Sequence, residues 1–379
     1  MSALSHRSTL GWILACAAGL GAPVHTARAE PPPIVVGQSL PLRGVSYWSA
    51  ARVLQGTQAF AGYINATGGI NGRRLEVVTL EDDNDPPKLA ANYRTLARAH
   101  KAVAFINCLG DELCREASRV AEELRTPLVG PHSGAASLRS AKHAYTVPPR
   151  PEYAMQADAL QRQLQSMGVT KVAILTSYPP EAELRKALDS SFSRGGARAL
   201  VIPIDDSNAA GVDQAAARLR AAAPAAVVLD VSYSVMRNLG ELEASQRFTW
   251  PSILATVSPG TLTQLTQEIR SRTIGLVNIV PNPEDNRLPL SRELDAHAER
   301  YSGPLAVTFE GMEGYVNLRL LVEALRRCGP APTPESTMRA IENLREQNLG
   351  GFFLRIDPSA VGPNWLDLGM RWREGRFVR

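Results

Sequence analysis

The sequence predicts an α/β protein with two parallel β-sheets flanked by helices. Runs rich in valine and isoleucine recur along the chain and are mostly continuous rather than alternating, which is typical of strands buried on both faces. Amphipathic helical segments separate these runs, and regular alternation of strand and helix produces parallel sheets. A chain of 379 residues, 44% of them hydrophobic, is long enough for two such arrays with buried cores.

The first array contains four predicted strands and three predicted helices. The strands are expected at residues 34–39, 75–82, 102–108 and 126–131. The first helix is expected over 48–66, where Val53, Thr57, Phe60 and Ile64 share one face and a Thr-Gly-Gly stop follows. The other two helices are expected over 88–100 and 111–124.

A proline-rich segment at 145–153, YTVPPRPEY, separates this array from a second one. Strands of the second array are expected at 171–178, 199–205, 225–233, 252–256 and 274–280, and helices at 151–167, 181–193, 212–223 and 236–245. Residues 288–346 are predicted to be mostly helical, and FFLRIDP and LGMRWREGRFV to close the chain as a hairpin. Since the late helices need a sheet to cover, we expect the chain to return to the first lobe and to cross between the lobes several times.

Residues 1–29 have the features of a signal peptide. A weakly basic start is followed by the apolar run LGWILACAAGL, and Ala27 and Ala29 satisfy the small-x-small cleavage rule. The mature protein is therefore expected to begin at Glu30 and to be soluble in the periplasm. The alternative is a lipoprotein anchored at Cys16, which ends the segment ILAC.

Export changes the interpretation of the cysteines. In an oxidising compartment, Cys108 and Cys114 favour a short disulfide loop, whereas zinc would need four thiolate or mixed Cys/His ligands. Cys328 lies in a helical stretch and is expected to be free.

The carboxyl ends of the predicted strands indicate where a ligand would bind. In open parallel sheets, the loops beyond these ends and the helix N-termini present backbone N–H groups. The positions concerned are Ser39 to Gly44, Cys108 to Asp111 and Pro131 to Ala135 in the first lobe, and Tyr178 to Glu181, Asp230 to Tyr233 and Thr256 to Gly260 in the second.

Enzyme, metal and nucleic-acid signatures are missing from the sequence. His132 and Ser133 are adjacent, but there is no G-x-S-x-G elbow. The acidic run EDDNDPP at 81–87 lacks calcium-loop spacing, and Asp85 is suited to capping the next helix. No dinucleotide or Walker motif is present, and the net charge of +4 is scattered. We expect no catalytic residue, metal, cofactor or nucleic-acid partner.

Segments along the chain resemble a known family. They are IVVGQSLPLRG, YINATGGINGRRLEVVTLEDDNDP, TPLVGPHSGAASLR, KVAILTS, AAVVLDVSY, EGYVNLRLLVEALRRCG and LGGFFLRIDP. NATGGINGR at 65–73 is the most specific of them, and the match runs from Ile34 to the C-terminus. On these residues the chain resembles the leucine/isoleucine/valine-binding-protein-like solute-binding proteins, the periplasmic receptors of ABC importers.

The resemblance implies the type I fold, in which two lobes joined by three hinge crossings close on a small solute. The expected first lobe comprises 34–147 and 274–350, and the second comprises 148–273 and a C-terminal hairpin at 351–379. The implied first-lobe contacts are Ser39, Leu109, Gly110, Asp111, Ser133, Gly134 and Ala135. The expected second-lobe contacts are Tyr178, Asp230, Tyr233 and Val257. Hydroxyl and N–H groups there would hold a ligand carboxylate or another polar head.

Three departures from the family pattern concern the ligand and the disulfide. Amino-acid-binding members carry serine or threonine where this chain has Leu109, Gly110 and Asp111, and an acidic residue for the ligand ammonium near Val257. Asp230 or Asp111 could substitute for that acidic residue. Asn84 stands where the first-lobe disulfide partner is expected, so Cys108 would pair locally with Cys114.

The resemblance implies a monomeric binding protein that delivers a small amino-acid-like or carboxylate-bearing solute to an ABC permease in the inner membrane. The alternative is a receptor lobe of the same fold that reports ligand to a membrane sensor or redox partner.

Overall fold

The computed structural model describes residues 31–140, 142, 144–179, 182–195, 198–205, 209–251, 253–256, 273–285, 287–355, 367–368, 371–373 and 376–378. The predicted signal peptide, Cys16 and Val257 lie outside these residues.

The first sheet is parallel and has five strands, in the order β2-β1-β3-β4-β5. The strands are β1 (Ile34–Leu40), β2 (Leu75–Glu81), β3 (Ala104–Ile106), β4 (Leu128–Val129) and β5 (Thr146–Val147). The helices between them are α1 (Tyr47–Ala66), α2 (Pro86–Arg98) and α3 (Asp111–Leu124). The sequence does not predict β5, because a strand of two residues beside three prolines has no periodicity to detect.

The second sheet begins after the proline-rich segment. In this part of the chain, strands and helices alternate in the order α4 (Tyr153–Ser166), β6 (Lys171–Thr176), α5 (Glu183–Arg194), β7 (Arg198–Pro203), α6 (Ala209–Ala222), β8 (Ala226–Asp230), α7 (Tyr233–Ala244), β9 (Ile253–Thr256) and β10 (Thr273–Asn278). Its strands β6 to β10 pair in parallel, in the order β10-β9-β8-β6-β7.

The position of β10 corrects one expected lobe boundary. The resemblance predicts a return to the first lobe at residue 274. Instead, Thr273 pairs with Leu254 and Leu276 with Thr256, so β10 extends the second sheet. The return to the first lobe therefore follows Asn278, because a strand belongs to the sheet with which its backbone hydrogen-bonds.

The late helices cover the first lobe, and the chain then returns to the second sheet. These helices are α8 (Pro289–Tyr301), α9 (Phe309–Arg327) and α10 (Pro334–Glu342), and both α8 and α9 pack against α1. A two-stranded antiparallel ladder follows, formed by β11 (Glu346–Asn348) and β12 (Phe353–Arg355). The remaining strands are β13 (Asp367–Leu368), β14 (Arg371–Arg373) and β15 (Arg376–Val378).

The expected C-terminal hairpin is formed by β14 and β15, and β14 pairs antiparallel with β10 at the edge of the second sheet. The FFLRIDP segment contributes β12 and pairs with β11, not with this hairpin. The chain thus passes between the lobes after β5, after β10 and between β12 and β13. This order of elements is that of a two-lobed type I binding fold.

Local sequence signals account for several helix starts. Asp85 caps α2 by accepting a hydrogen bond from the backbone N–H of Lys88 at 3.1 Å. Thr308 caps α9 in the same way, and Thr333 forms a capping box with Ser336 at α10. Within the described part of the chain, no helix has the length and hydropathy that crossing a bilayer requires.

Candidate functional site

The carboxyl ends of β3 and β4 form the first edge of the candidate site. Leu109 and His132, which follow these strands, form a parallel β-bridge. Gly110 has a φ of 82° and is the N-cap of α3, so the chain turns sharply from β3 into this helix. The predicted disulfide between Cys108 and Cys114 is confirmed, with a Cα–Cα distance of 5.3 Å. It ties the turn to the first helical turn of α3.

Asp111 is the centre of the first edge. Its Oδ1 accepts hydrogen bonds from Ser133 Oγ at 2.6 Å and from the Tyr153 hydroxyl at 2.7 Å. Ser133 Oγ in turn accepts from the backbone N–H of Ala135 at 3.1 Å, and the N–H of Tyr153 donates to the carbonyl of Gly134 at 2.8 Å. The structure therefore brings together four of the sequence-predicted residues.

Tyr153 is a site residue that sequence reasoning missed. It is the first residue of α4, directly after the proline-rich crossing, and no motif marks it. Burial raises the pKa of Tyr153, with the nearby charge of Asp111 acting in the same direction, so the phenol is a proton donor at neutral pH. It joins the start of the second lobe to the first edge.

Ser39 lies in a different set of hydrogen bonds. Its side chain is fully buried, and its hydroxyl donates to Asp82 Oδ2 and accepts from Asn92 Nδ2, both at 3.0 Å. It is not hydrogen-bonded to the Asp111 group. The contact of Ser39 with a ligand stays a prediction.

The residues that could suggest metal binding or catalysis are bonded to the chain's own groups. Asp82 bonds Ser39, Asp83 pairs with Lys88, and Asp85 caps α2. The His132 ring contacts Glu313 and Asn107, at 3.1 Å each, whereas the hydroxyl of Ser133 bonds Asp111. In the described part of the chain, no three His, Cys, Asp or Glu side chains are grouped as metal ligands would be.

The carboxyl ends of β6 and β8 form the second edge. Asp230 is 4% exposed and accepts a hydrogen bond from Thr176 Oγ1 at 3.0 Å. Ser177 Oγ accepts from the N–H of Ser232, whose own hydroxyl caps α7. Burial raises the pKa of Asp230 to about 6, because a buried carboxylate loses its hydration.

The structure describes the other predicted second-lobe residues to different extents. Tyr178 is 45% exposed and directly follows Ser177. The backbone of Tyr233 begins α7. Val257 falls outside the described residues.

Contacts of Glu183 join the two lobes. Glu183, at the start of α5, accepts a hydrogen bond from the Ser137 hydroxyl at 2.5 Å and pairs with Arg115 at 3.6 Å. Both partners belong to the first lobe. The charge of Asp111, in the first lobe, is one of the smaller causes of the raised pKa of Asp230, after burial.

A buried ion pair lies where the chain crosses between the lobes. Arg150 donates two hydrogen bonds to Glu313, at 2.9 and 2.7 Å, and His132 Nδ1 lies 3.1 Å from Glu313 Oε2. Burial alone would raise the pKa of Glu313, but Arg150 and His132 together lower it to about 2. A small cavity beside this pair is lined by residues of three interlobe connections: Pro149, Arg150, Ile279, Val280, Phe352 and Leu354.

Comparisons with known proteins give consistent results. A family model described as periplasmic binding protein matches residues 33–364. A substrate-binding periplasmic protein from Ralstonia solanacearum is 25% identical, with a TM-score of 0.77 over 89% of this chain and 97% of that one. A comparison with curated protein sequences gives no match.

Two further solved structures share the fold. A branched chain amino acid ABC transporter protein from Thermus thermophilus with bound valine is 16% identical, with a TM-score of 0.76 over 91% of this chain and 94% of that one. A fatty acid ABC transporter substrate-binding protein from Thermomonospora curvata is 17% identical, with a TM-score of 0.72 over 92% of this chain and 91% of that one. The two names describe chemically different ligands.

Proposed function

Because the chain belongs to the periplasmic binding protein family, in its leucine/isoleucine/valine-binding-protein-like branch, we propose that it is the substrate-binding component of an ABC importer. It binds a small solute between its two lobes and presents the closed form to a permease in the inner membrane. Residues 1–29 direct it to the periplasm, where it acts as a monomer.

Polar side chains at the strand ends of both sheets are the observation that supports this function. Each edge places polar side chains at the carboxyl ends of parallel strands, where ligands of open α/β sheets bind. Asp111 with Ser133 and Tyr153 marks the first edge, and Asp230 with Ser177 marks the second. A solute that contacts both edges is enclosed when the lobes approach.

Solute binding produces closure when the solute binds the closed form more tightly than the open form. A solute that bonds to one lobe in the open form and to both in the closed form shifts the population toward the closed form. Glu183 contributes to the contact between the lobes through Ser137 and Arg115. The closed form is then the state that a permease can recognise.

The test is a thermal-shift screen of the mature protein against amino acids, amines, amides and carboxylates. A solute at a hundred times its dissociation constant adds about 2.7 kcal/mol of stability, which is a shift of a few degrees for a protein of this size. Small-angle scattering with the same solute should show a smaller radius of gyration. A stabilising solute that leaves the radius unchanged would contradict binding by closure.

Two serine variants test the location of the site. Ser133→Ala removes a hydrogen bond to Asp111 and should weaken solute binding by about tenfold, equivalent to about 1.4 kcal/mol. Ser166→Ala, at the exposed end of α4, is the matched control and should bind as the wild type does. Equal affinity for all three proteins would place the solute elsewhere.

A further inference from the structure

The first edge of the cleft has the chemistry of an anion site that the chain itself already occupies. The N-terminus of the 14-residue helix α3 is its positive end, and the hydroxyls of Ser133 and Tyr153 point their donors at one position. The acceptor at that position is Oδ1 of Asp111. A ligand carboxylate would have to displace a carboxylate that is covalently held in place.

Two side-chain acceptors at this edge have no donor among the described residues. Asp111 is partly exposed, and both of its hydrogen bonds go to Oδ1, which leaves Oδ2 without a partner in the described chain. The Oε1 atom of Gln156 is fully buried and also unpaired. Its side chain lies against Gly134, since a Cβ on that glycine would be 2.8 Å from Gln156 Nε2. The buried Gln156 Oε1 and the partly exposed Asp111 Oδ2 can both accept, which favours a ligand that donates hydrogen bonds.

Two arginines that act on these carboxylates are already paired within the described chain. Arg150 interacts through space with Asp111 and is bonded twice to Glu313. Arg185 interacts with Asp230 and pairs with Asp189 at 3.0 Å. Neither arginine is left to neutralise a ligand carboxylate.

The second edge adds a further carboxylate, which belongs to the other lobe. Asp230 is buried and bonded to Thr176, and its charge and that of Asp111 repel each other. A cation held between these two side chains would remove the repulsion and restore charge pairing on both lobes at once.

We infer that the solute carries a protonated nitrogen, such as an ammonium or amidinium group, which binds between Asp111 and Asp230. The inference rests on the proposed function, because it concerns the same cleft. It departs from the sequence-based expectation that Ser133 and its neighbours hold a ligand carboxylate. Ser133 instead positions Asp111, and Asp111 selects the ligand charge.

The experiment compares ligands that share one carbon skeleton and differ in charge. For isobutyl, butyl and benzyl skeletons, the wild type is tested by thermal shift and calorimetry with the amine, the α-amino amide, the α-amino acid and the plain carboxylate. We expect an amine or amino amide to bind at least tenfold more tightly than the corresponding amino acid, and the carboxylate not to shift the melting temperature.

Two variants at Asp111 separate charge from hydrogen bonding. Asp111→Asn keeps an acceptor for Ser133 and Tyr153, so it should lose amine binding by at least tenfold and gain no carboxylate binding. Asp111→Ala frees both hydroxyl donors, so it should lose amine binding and gain carboxylate or amino-acid binding. Circular dichroism and the melting temperature check that each variant is folded.

The outcomes distinguish this inference from the proposed function. Tighter binding of carboxylates than of amines by the wild type overturns the inference and leaves solute binding intact. Unchanged preference in Asp111→Ala also overturns it, because Asp111 would then have no influence on ligand charge. No binding of any compound by the wild type or by either variant, together with an unchanged radius of gyration, overturns both proposals.

Discussion

At the residue scale, the informative feature is how two carboxylates are held. Asp111 is stabilised by two hydroxyl donors at the start of a helix, where a negative charge is favourable. Asp230 is buried with one hydroxyl donor, and its ionisation is costly. The two carboxylates are therefore held in different environments, one beside a helix N-terminus and the other buried behind a strand end.

Asp230 should make the folded protein less stable as the pH rises. Its pKa is raised to about 6 from the ordinary value of 3.8, so the folded state holds this proton more tightly than the unfolded state does. The stability contributed by this proton is fully present below about pH 4 and is lost as the pH rises through 6. Asp230→Asn keeps an acceptor for Thr176 and should be about 2 kcal/mol more stable than the wild type at pH 7.5, with no difference at pH 4.

Denaturant unfolding at four pH values between 4 and 7.5 measures this effect. The groups that act on Asp230 are Thr176, Arg185, Asp111 and Asp189, and all are retained in the variant. Asp295→Asn, at an exposed position of α8, is the control and should follow the wild type at every pH. Parallel pH profiles for the wild type and Asp230→Asn would show that Asp230 ionises normally.

At the element scale, close helix packing holds the first lobe together. Helices α1 and α9 approach so closely that a Cβ on Gly56 would lie 1.9 Å from the carbonyl oxygen of Gly311. A Cβ on Gly314 would lie 2.5 Å from the carbonyl oxygen of Val53. These contacts are with backbone atoms, so a side chain could fit only if the helices moved apart.

Gly56→Ala should therefore destabilise the protein by about 2 kcal/mol or more, because overpacking shifts backbone. Gly240 lies within α7 and a Cβ there would meet nothing within 4 Å, so Gly240→Ala should be more stable by about 0.5–1 kcal/mol through helix propensity. Thermal unfolding of both variants measures these two changes in stability. A stabilising Gly56→Ala would mean that α1 and α9 are further apart in solution.

The crossing between the lobes depends on the buried pair of Arg150 and Glu313. Glu313→Gln leaves the guanidinium buried without its counter-charge and should cost about 3–5 kcal/mol near neutral pH. Because the pKa of Glu313 is lowered to about 2 from 4.5, this contribution is present above pH 4.5 and disappears as the pH falls toward 2.

The control for this prediction is Glu323→Gln on α9. Glu323 pairs with Arg326 at a solvent-accessible position and should change stability by no more than about 0.5 kcal/mol. Urea unfolding of both variants at pH 7 and pH 3 measures the change in the free energy of unfolding and its dependence on pH. Equal, small effects of the two substitutions would show that the crossing does not depend on this ion pair.

At the scale of the whole molecule, the contact between Glu183 and the first lobe favours closure. Glu183→Ala removes its bonds to Ser137 and Arg115 and should enlarge the radius of gyration of the solute-free protein. A partly exposed contact of this kind contributes about 1 kcal/mol, which would weaken solute binding by about fivefold. Glu241→Ala, on the exposed face of α7, should change neither quantity. An unchanged radius in Glu183→Ala would show that the contact does not hold the lobes.

Much of this molecule follows from sequence alone. Continuous apolar runs and amphipathic segments determine the α/β class and most helices to within two or three residues, because these signals depend on local periodicity. α3 is predicted over residues 111–124 and observed as Asp111–Leu124. The Cys108–Cys114 disulfide is also local, since the two cysteines are six positions apart in the chain.

Only the tertiary structure decided which sheet β10 joins and what Ser133 and Ser39 contact. The sheet assignment of β10 depends on hydrogen bonds to a distant strand, and β5 is too short to carry a pattern. Ser133 reaches Asp111 across 22 positions and Tyr153 reaches it across 42, while Ser39 is drawn into bonds with Asp82. Side chains at strand ends can be located by periodicity, but their partners are set by which loops the fold brings to the same edge.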